Sequence, residues 1–233
     1  SIMGPASRTL LQSLTPVDMS HEAFPFATSR HIDVGYATVR ATRITYVGEL
    51  GWELYVPTEF SANVFDTLMD AGGGHGLVLA GYHALDSLRM EKAYRHWGHD
   101  ITPDDTPLQA GLGFAVSWKK PDGFIGKAAL EAQRARGLDR RLAQFAVADP
   151  DLVLLHNEPI LRNGRMVGQT TSAAFGHHLG KDLALGYVHN PDGLADDEYI
   201  LGASYQIDIA GTLVPATVSL EPLYDPRSER IKS

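Results

Sequence analysis

The sequence predicts an α+β fold in which a mixed region of helices and strands is followed by a region of short strands. Before residue 119, apolar residues recur at helical spacing in several segments, and short alternating segments lie between them. After residue 137, six short strand patterns follow one another, each bounded by turn residues. A series of this kind is typical of a small barrel or sandwich.

The N-terminal region supplies the predicted helices. Apolar spacing predicts helices at residues 5–14, 58–71 and 84–94. The expected buried stripe of the second helix contains Val64, Phe65, Leu68 and Met69. Weaker alternation predicts strands at residues 32–39 and 113–118.

The C-terminal region supplies the predicted strands, at residues 141–147, 159–161, 166–172, 183–188, 205–210 and 212–220. Asn163-Gly164 separates two of them and indicates a tight hairpin. We therefore predict a first domain over residues 1–118, a connector with one helix over residues 119–137, and a strand domain over residues 138–233.

The composition excludes several classes of protein. The chain has 28 Asp and Glu against 20 Lys and Arg, and this acidic balance argues against a nucleic-acid partner. No apolar run approaches the length of a membrane span, so we expect no membrane partner. The chain has no cysteine, which excludes disulfides, zinc-thiolate sites and thiol nucleophiles.

The segment of most interest is a predicted hairpin over residues 43–56, in which two short strands are joined by a glycine-flanked turn. Alternation places Trp52 and Leu54 on one side of the second strand and Glu53 and Tyr55 on the other. A carboxylate in mid-strand among large apolar residues is costly to bury without a hydrogen-bond donor. Glu53 therefore needs a partner.

Two interpretations of Glu53 stay open from the spacing alone. In the first, Glu53 accepts two parallel hydrogen bonds from an amidine-like edge such as that of a pterin, and Tyr46 adds a flat aromatic face. In the second, the hairpin lies at the surface and Glu53 faces solvent beside a cross-strand Arg43 or Arg40.

Other combinations of residues give weaker indications of a functional site. His96 and His99, and the pair His177-His178, lie beside glycines in predicted loops, so we expect no metal site. The glycine-rich residues 72–76 follow a predicted helix, whereas phosphate-binding loops precede one, so they are interpreted as a helix C-cap. No dinucleotide-binding or phosphate-loop motif is present.

Several motifs resemble a known family. Residues 46–54 resemble the Y-x-G-E-x-G-x-E hallmark of the aminomethyltransferase family, typified by the glycine cleavage T-protein, and residues 86–91 resemble its D-S-L-R-L-E helix. Further segments resemble one branch, the folate-binding C-terminal region of sarcosine and dimethylglycine dehydrogenases. These segments are residues 89–95, 97–98, 106–112, 124–127 and 168–172.

The resemblance implies the C-terminal part of a T-protein-like folate-binding domain followed by a small antiparallel β-barrel. It implies that Tyr46 lines a tetrahydrofolate site and that Glu53 binds the pterin edge. The arginine that contacts folate in T-proteins is replaced here by Leu85. No catalytic residue is expected in this chain, because the family's catalytic aspartate lies upstream of the segment that resembles residues 2–5.

The implied function is that of part of an enzyme. In the full-length protein an FAD-dependent sarcosine or dimethylglycine dehydrogenase would pass a one-carbon unit to tetrahydrofolate, giving 5,10-methylenetetrahydrofolate. FAD is expected only in the full-length enzyme, and the partners of this chain are folate and the missing N-terminal FAD and folate-domain halves. We expect the isolated chain to be inactive, in the cytoplasm or, in a eukaryote, in the mitochondrial matrix. The alternatives are a T-protein-like aminomethyltransferase without flavin and a non-catalytic folate-binding module.

Overall fold

The computed structural model describes residues 1–147 and 152–233. The chain divides into two compact units, one formed by residues 1–88 together with 225–233, and the other by residues 89–224. The predicted domain limits at residues 118 and 138 stay a prediction.

The first unit is built around a four-stranded antiparallel sheet in the order β1-β4-β3-β2. Its elements are β1 (Ile2–Met3), α1 (Ser7–Leu14), β2 (Ser29–Val34), β3 (Ala37–Thr42), β4 (Gly51–Tyr55), α2 (Ser61–Gly72) and α3 (Tyr82–Glu91), the last of which runs on into the second unit. The three helices predicted for this region are confirmed. A short 3-10 turn, Thr58–Phe60, precedes α2.

Alternation along the strands sends one face of this sheet into the core. Val34, Val39 and Trp52 are fully buried there, and they pack with Leu11 of α1 and Val64 of α2. The opposite face carries polar side chains, as expected for an antiparallel sheet with one face in solvent.

The strands predicted at residues 32–39 and 113–118 are wrong. Residues 32–39 do not form one strand, because the chain reverses at Gly35 between β2 and β3. Gly35 has φ +59°, and a Cβ there would lie 2.4 Å from the Asn63 side-chain oxygen, so the turn requires glycine. Residues 113–118 contain a 3-10 turn, Gly113–Ala115, instead of a strand.

The second unit contains a closed six-stranded antiparallel barrel, in the order β10-β5-β8-β7-β6-β9. Its elements are α4 (Lys127–Arg136), β5 (Arg140–Val147), β6 (Pro159–Arg162), β7 (Arg165–Gly176), β8 (Lys181–His189), α5 (Asp197–Leu201), β9 (Tyr205–Ile209) and β10 (Thr212–Ser219). All six predicted strands and the connector helix are confirmed, and the barrel, not the sandwich, is the architecture. Phe145, Ile160 and Ile207 lie fully buried at its centre.

The tight hairpin predicted at Asn163-Gly164 is confirmed. Both residues have positive φ, 49° and 79°, and Arg162 pairs directly with Arg165 across the turn. After the barrel, the chain returns to the first unit and ends with the short helix α6 (Glu229–Lys232).

Candidate functional site

Strand β4 and the loop before it carry both predicted ligand-binding residues. Glu53 is the central residue of β4 and pairs with Thr42, the last residue of β3. Tyr46 lies in the loop that connects the two strands, and both side chains are partly buried. The first strand predicted within residues 43–56 is wrong, because β3 ends at Thr42 and residues 43–50 form no strand.

Backbone hydrogen bonds explain where β3 ends. The Arg43 N–H donates to the Thr28 carbonyl at 2.9 Å, and the Arg43 carbonyl accepts from the Ala27 N–H at 2.9 Å. Both backbone groups of Arg43 are therefore hydrogen-bonded to the two residues that precede β2. The next N–H, that of Ile44, donates back to the Thr42 carbonyl at 3.0 Å and not to β4, so the ladder between β3 and β4 stops at the Thr42–Glu53 pair.

The side-chain alternation predicted for β4 is confirmed. Trp52 is fully buried and Leu54 packs against the same core, whereas Glu53 and Tyr55 lie on the other face. The Tyr55 hydroxyl donates a hydrogen bond to Glu53 Oε2 at 3.1 Å. This bond fixes the direction of the carboxylate along the strand.

Arginine does not neutralise Glu53 in the way the surface interpretation expects. Arg43 is fully buried and donates to backbone oxygens of Phe24 and Ser233. Arg40 pairs with Tyr55, and its guanidinium carbon lies 4.4 Å from the centre of the Tyr55 ring. Within residues 1–147 and 152–233, no Lys or Arg forms an ion pair with Glu53.

The row of side chains across the sheet from Glu53 on the outer face carries uncharged hydroxyl groups, and Arg40 lies beside it, over the Tyr55 ring. Ser29, Thr42 and Glu53 form one row across three neighbouring strands, and the Ser29 and Thr42 hydroxyls lie 2.6 Å apart. A carboxylate accepts about four hydrogen bonds, and Tyr55 supplies one of them. Glu53 therefore has the capacity to accept a pair of N–H donors from a planar ligand.

An apolar cavity of about 570 Å³ lies on the other side of β4. Leu54 of β4, Phe65 of α2 and Leu85 of α3 line it, together with the exposed residues Val78 and Leu79. Neither Glu53 nor Tyr46 lines this cavity, although their chain neighbours Leu54 and Val47 do. The structure thus gives β4 a polar face with a carboxylate and an apolar face beside a cavity.

The cavity also explains one error of the sequence interpretation. Phe65, predicted to lie in the buried stripe of α2, is 50% exposed because it stands at the cavity wall and not in the core. Residues 77–81 form neither strand nor helix, and they line the cavity as well.

A buried ion pair in the second unit explains two of the motifs. Arg89 Nη1 lies 2.8 Å from Asp100 Oδ2, both side chains are almost fully buried, and Arg89 Nη2 donates to Ser172 Oγ at 3.0 Å. Asp100 also accepts hydrogen bonds from the His96 N–H and the Thr171 hydroxyl. Residues 86–91 and 168–172 thus meet at Asp100, whose part in this network the sequence did not predict.

The histidines and acidic residues do not form a metal centre in the described part of the chain. Among the described residues, no group of three or more His, Asp or Glu side chains is arranged to hold a metal ion. His96 and His99 lie with their ring centres 4.5 Å apart. No helix in residues 1–147 and 152–233 is both long enough and apolar enough to span a bilayer.

Comparison with known families agrees with this architecture. The GCVT N-terminal domain matches residues 1–120, and the glycine cleavage T-protein C-terminal barrel domain matches residues 140–225. The chain belongs to the glycine cleavage T-protein family.

Two curated dehydrogenases show which branch of the family the chain is similar to. The chain is 44% identical over 233 residues to mitochondrial sarcosine dehydrogenase of Homo sapiens, a match that covers 100% of this chain and 25% of the relative. It is 40% identical over 222 residues to mitochondrial dimethylglycine dehydrogenase of Homo sapiens, covering 95% of this chain and 25% of the relative. The chain therefore spans about a quarter of the length of these curated relatives.

A solved structure supports the fold. The glycine cleavage system aminomethyltransferase T of Bartonella henselae superposes with a TM-score of 0.78 at 23% identity. The match covers 96% of this chain and 58% of that one. The antiparallel barrel that the resemblance implied is thus found both in the chain itself and in the family.

Proposed function

We propose that this chain is the tetrahydrofolate-binding region of an FAD-dependent enzyme that oxidises sarcosine, dimethylglycine or a similar N-methyl amine. Membership of the T-protein family and the similarity to the two dehydrogenases support the proposal. The observation that carries it is Glu53, a half-buried carboxylate oriented by Tyr55 and without a cationic partner in the described residues.

In this proposal, Glu53 recognises the pterin. Its carboxylate accepts hydrogen bonds from the pterin amino group and the adjacent ring N–H, which form a planar pair of donors. The Tyr55 hydroxyl holds Oε2, and this leaves Oε1 free of side-chain donors among the described residues. Tyr46 contributes an aromatic face beside the ligand.

The role of the chain is to hold folate where the one-carbon unit is delivered. Keeping the folate nitrogens next to the reacting carbon makes the capture of the one-carbon unit effectively unimolecular. The product is expected to be 5,10-methylenetetrahydrofolate. FAD would supply the amine oxidation, and both FAD and the catalytic aspartate of the family are expected in the part of the enzyme that precedes these residues.

Substitution of Glu53 in the full-length enzyme tests the proposal. We expect Glu53→Ala and Glu53→Gln to weaken tetrahydrofolate binding by about 2–3 kcal/mol, which corresponds to about 30- to 150-fold in Kd. Isothermal titration calorimetry measures the affinity, and the rate of amine oxidation with an artificial electron acceptor shows that the flavin site is intact.

Glu59→Gln is the matched control. Glu59 is an exposed carboxylate in the 3-10 turn that follows β4, and its replacement should leave folate affinity unchanged. An affinity of the Glu53 variants equal to that of the parent enzyme would refute the pterin assignment. An enzyme with normal folate binding but no amine oxidation by flavin would favour the aminomethyltransferase alternative, and one with folate binding and neither activity would favour the non-catalytic module.

A further inference from the structure

Arg40 lies near Glu53 on the outer face of the first-unit sheet, and Tyr55 contacts both side chains. In the pairing of β3 with β4, Arg40 stands directly across from Tyr55. The Arg40 guanidinium carbon lies 4.4 Å from the centre of the Tyr55 ring, and the Tyr55 hydroxyl in turn donates to Glu53 Oε2 at 3.1 Å. The three side chains thus form one series of contacts that ends at the carboxylate.

The contact between Arg40 and Tyr55 is a cation–π interaction. Such contacts are attractive when the cation lies within about 6 Å of the ring centre, and the planar guanidinium of arginine stacks well on an aromatic face. Among the residues that the structure describes, no Asp or Glu, Glu53 included, forms an ion pair with Arg40. Since no described carboxylate competes for the guanidinium, the Tyr55 ring is the group that holds it.

The Tyr55 side chain depends on this contact because the core does not enclose it. Tyr55 is 49% exposed, and exposed side chains change rotamer within about picoseconds to nanoseconds. The hydroxyl reaches Glu53 while the ring is directed along β4 toward the carboxylate. A cation held against the ring favours that orientation, since a Tyr55 rotamer directed elsewhere gives up the stacking.

From this geometry we propose that Arg40 is a positioning residue of the pterin site. It keeps Tyr55 in the rotamer whose hydroxyl fixes Glu53 Oε2, and the carboxylate is thereby directed toward the pair of N–H donors on the pterin edge. The effect of Arg40 on the ligand passes through the Tyr55 hydroxyl. This inference rests on the proposed function, because it concerns the carboxylate that recognises the pterin.

A double-mutant cycle in the full-length enzyme tests the route from Arg40 to Glu53. We expect Arg40→Gln to weaken tetrahydrofolate binding about two- to fivefold, the range that an exposed cation–π contact supplies. Tyr55→Phe keeps the ring and removes the hydroxyl, so Arg40→Gln should have no further effect on the Kd in that background. Isothermal titration calorimetry gives the four affinities. An equal loss with and without the Tyr55 hydroxyl would overturn the proposal, because a purely structural effect of Arg40 on the sheet does not need that hydroxyl.

Two further variants test the nature of the contact. Arg40→Lys keeps a cation that can lie over the ring, so it should bind tetrahydrofolate more tightly than Arg40→Gln, and equal Kd values of the two would contradict the cation–π explanation. Arg30→Gln is the matched control, since Arg30 is exposed on β2 and lies over another ring of this unit, that of Phe24. It should leave the Kd unchanged. A loss as large as that of Arg40→Gln would mean that net charge is the cause, and the role of Tyr55 would be disproved.

The Glu53→Gln variant separates this inference from the proposed function. If Glu53→Gln weakens folate binding and Arg40→Gln does not, the pterin site stands and the positioning role of Arg40 is refuted. Unchanged affinity in Glu53→Gln refutes the proposed function, and the positioning role with it, whatever the result for Arg40→Gln.

Discussion

Arg89 and Asp100 form an almost fully buried ion pair in the second unit, and this makes both residues sensitive to replacement. We expect Arg89→Met to lower the free energy of unfolding by about 3–5 kcal/mol, because Asp100 would keep its charge in a buried place without a cation. Urea denaturation measures the change. The double variant Arg89→Met/Asp100→Asn should recover part of the loss, since the uncompensated charge is gone.

Arg165 provides the comparison at the surface. It pairs with Asp192 at 2.9 Å, but both side chains are about two-thirds exposed or more, at 66% and 73%. Arg165→Met should therefore change the free energy of unfolding by less than about 1 kcal/mol. A similar effect of the two Arg→Met replacements would contradict the role of burial at Asp100.

Glu53 and Arg43 show which features of a residue can be predicted from the local sequence and which cannot. Alternation alone places Glu53 and Tyr55 on one face of β4, and the structure confirms this. The partner of each charge depends on strand register, and the register is set by the backbone bonds of Arg43 to Ala27 and Thr28, which no local pattern shows. The sequence therefore predicted that Glu53 shares a face with Tyr55 but not that Arg43 is buried.

At the scale of elements, Gly168 explains why a motif in β7 begins with glycine. A Cβ at Gly168 would lie 1.9 Å from the Tyr187 carbonyl oxygen of β8, and backbone atoms cannot move aside as a flexible side chain can. We expect Gly168→Ala to destabilise the protein by about 3 kcal/mol or more, through forced separation of β7 and β8. Thermal and urea denaturation measure this loss.

Gly193 is the control for the same replacement in the same unit. It is exposed, and the nearest atom to a Cβ added there would be the Asn190 side-chain nitrogen at 3.3 Å, a side-chain atom that need shift by only a few tenths of an ångström. Gly193→Ala should change stability by less than about 1 kcal/mol. If both glycines tolerated alanine equally, close strand approach would not be the reason for Gly168.

The barrel was predictable from sequence for a physical reason that the first unit lacks. Short turns join β6 to β7, β7 to β8 and β9 to β10, and the Asn163-Gly164 dipeptide requires the positive φ values that the first of these hairpins has. In the first unit, the two-residue β1 pairs with β4, about fifty positions later, and such a long-range pairing leaves no local signal. Trp52 was correctly placed on the same face as Leu54, but neither the pairing of β1 nor the long loop before β4 was predicted.

At the scale of the whole molecule, the position of Glu53 limits what the chain can bind alone. Sites for small ligands bury most of the ligand surface, about 70–90%. Around Glu53 the outer face of the sheet is open: Tyr55 is 49% exposed and Arg40 is exposed as well. The apolar cavity lies on the opposite side of β4 and cannot enclose a ligand held by Glu53. The polar face of β4 can therefore recognise a ligand through hydrogen bonds but cannot bury most of the ligand surface.

We therefore expect the 233-residue chain to bind tetrahydrofolate with a Kd weaker than micromolar, while the full-length enzyme binds it more tightly. The chain spans about a quarter of its dehydrogenase relatives, and the remainder is expected to supply the missing walls of the site. Isothermal titration calorimetry of both proteins under reducing conditions gives the two affinities. Glu53→Gln serves as the control in each, since weak specific binding must respond to it and nonspecific binding must not. A micromolar or tighter Kd for the isolated chain would mean that the open face of β4 is already a complete site, and the need for upstream walls would be disproved.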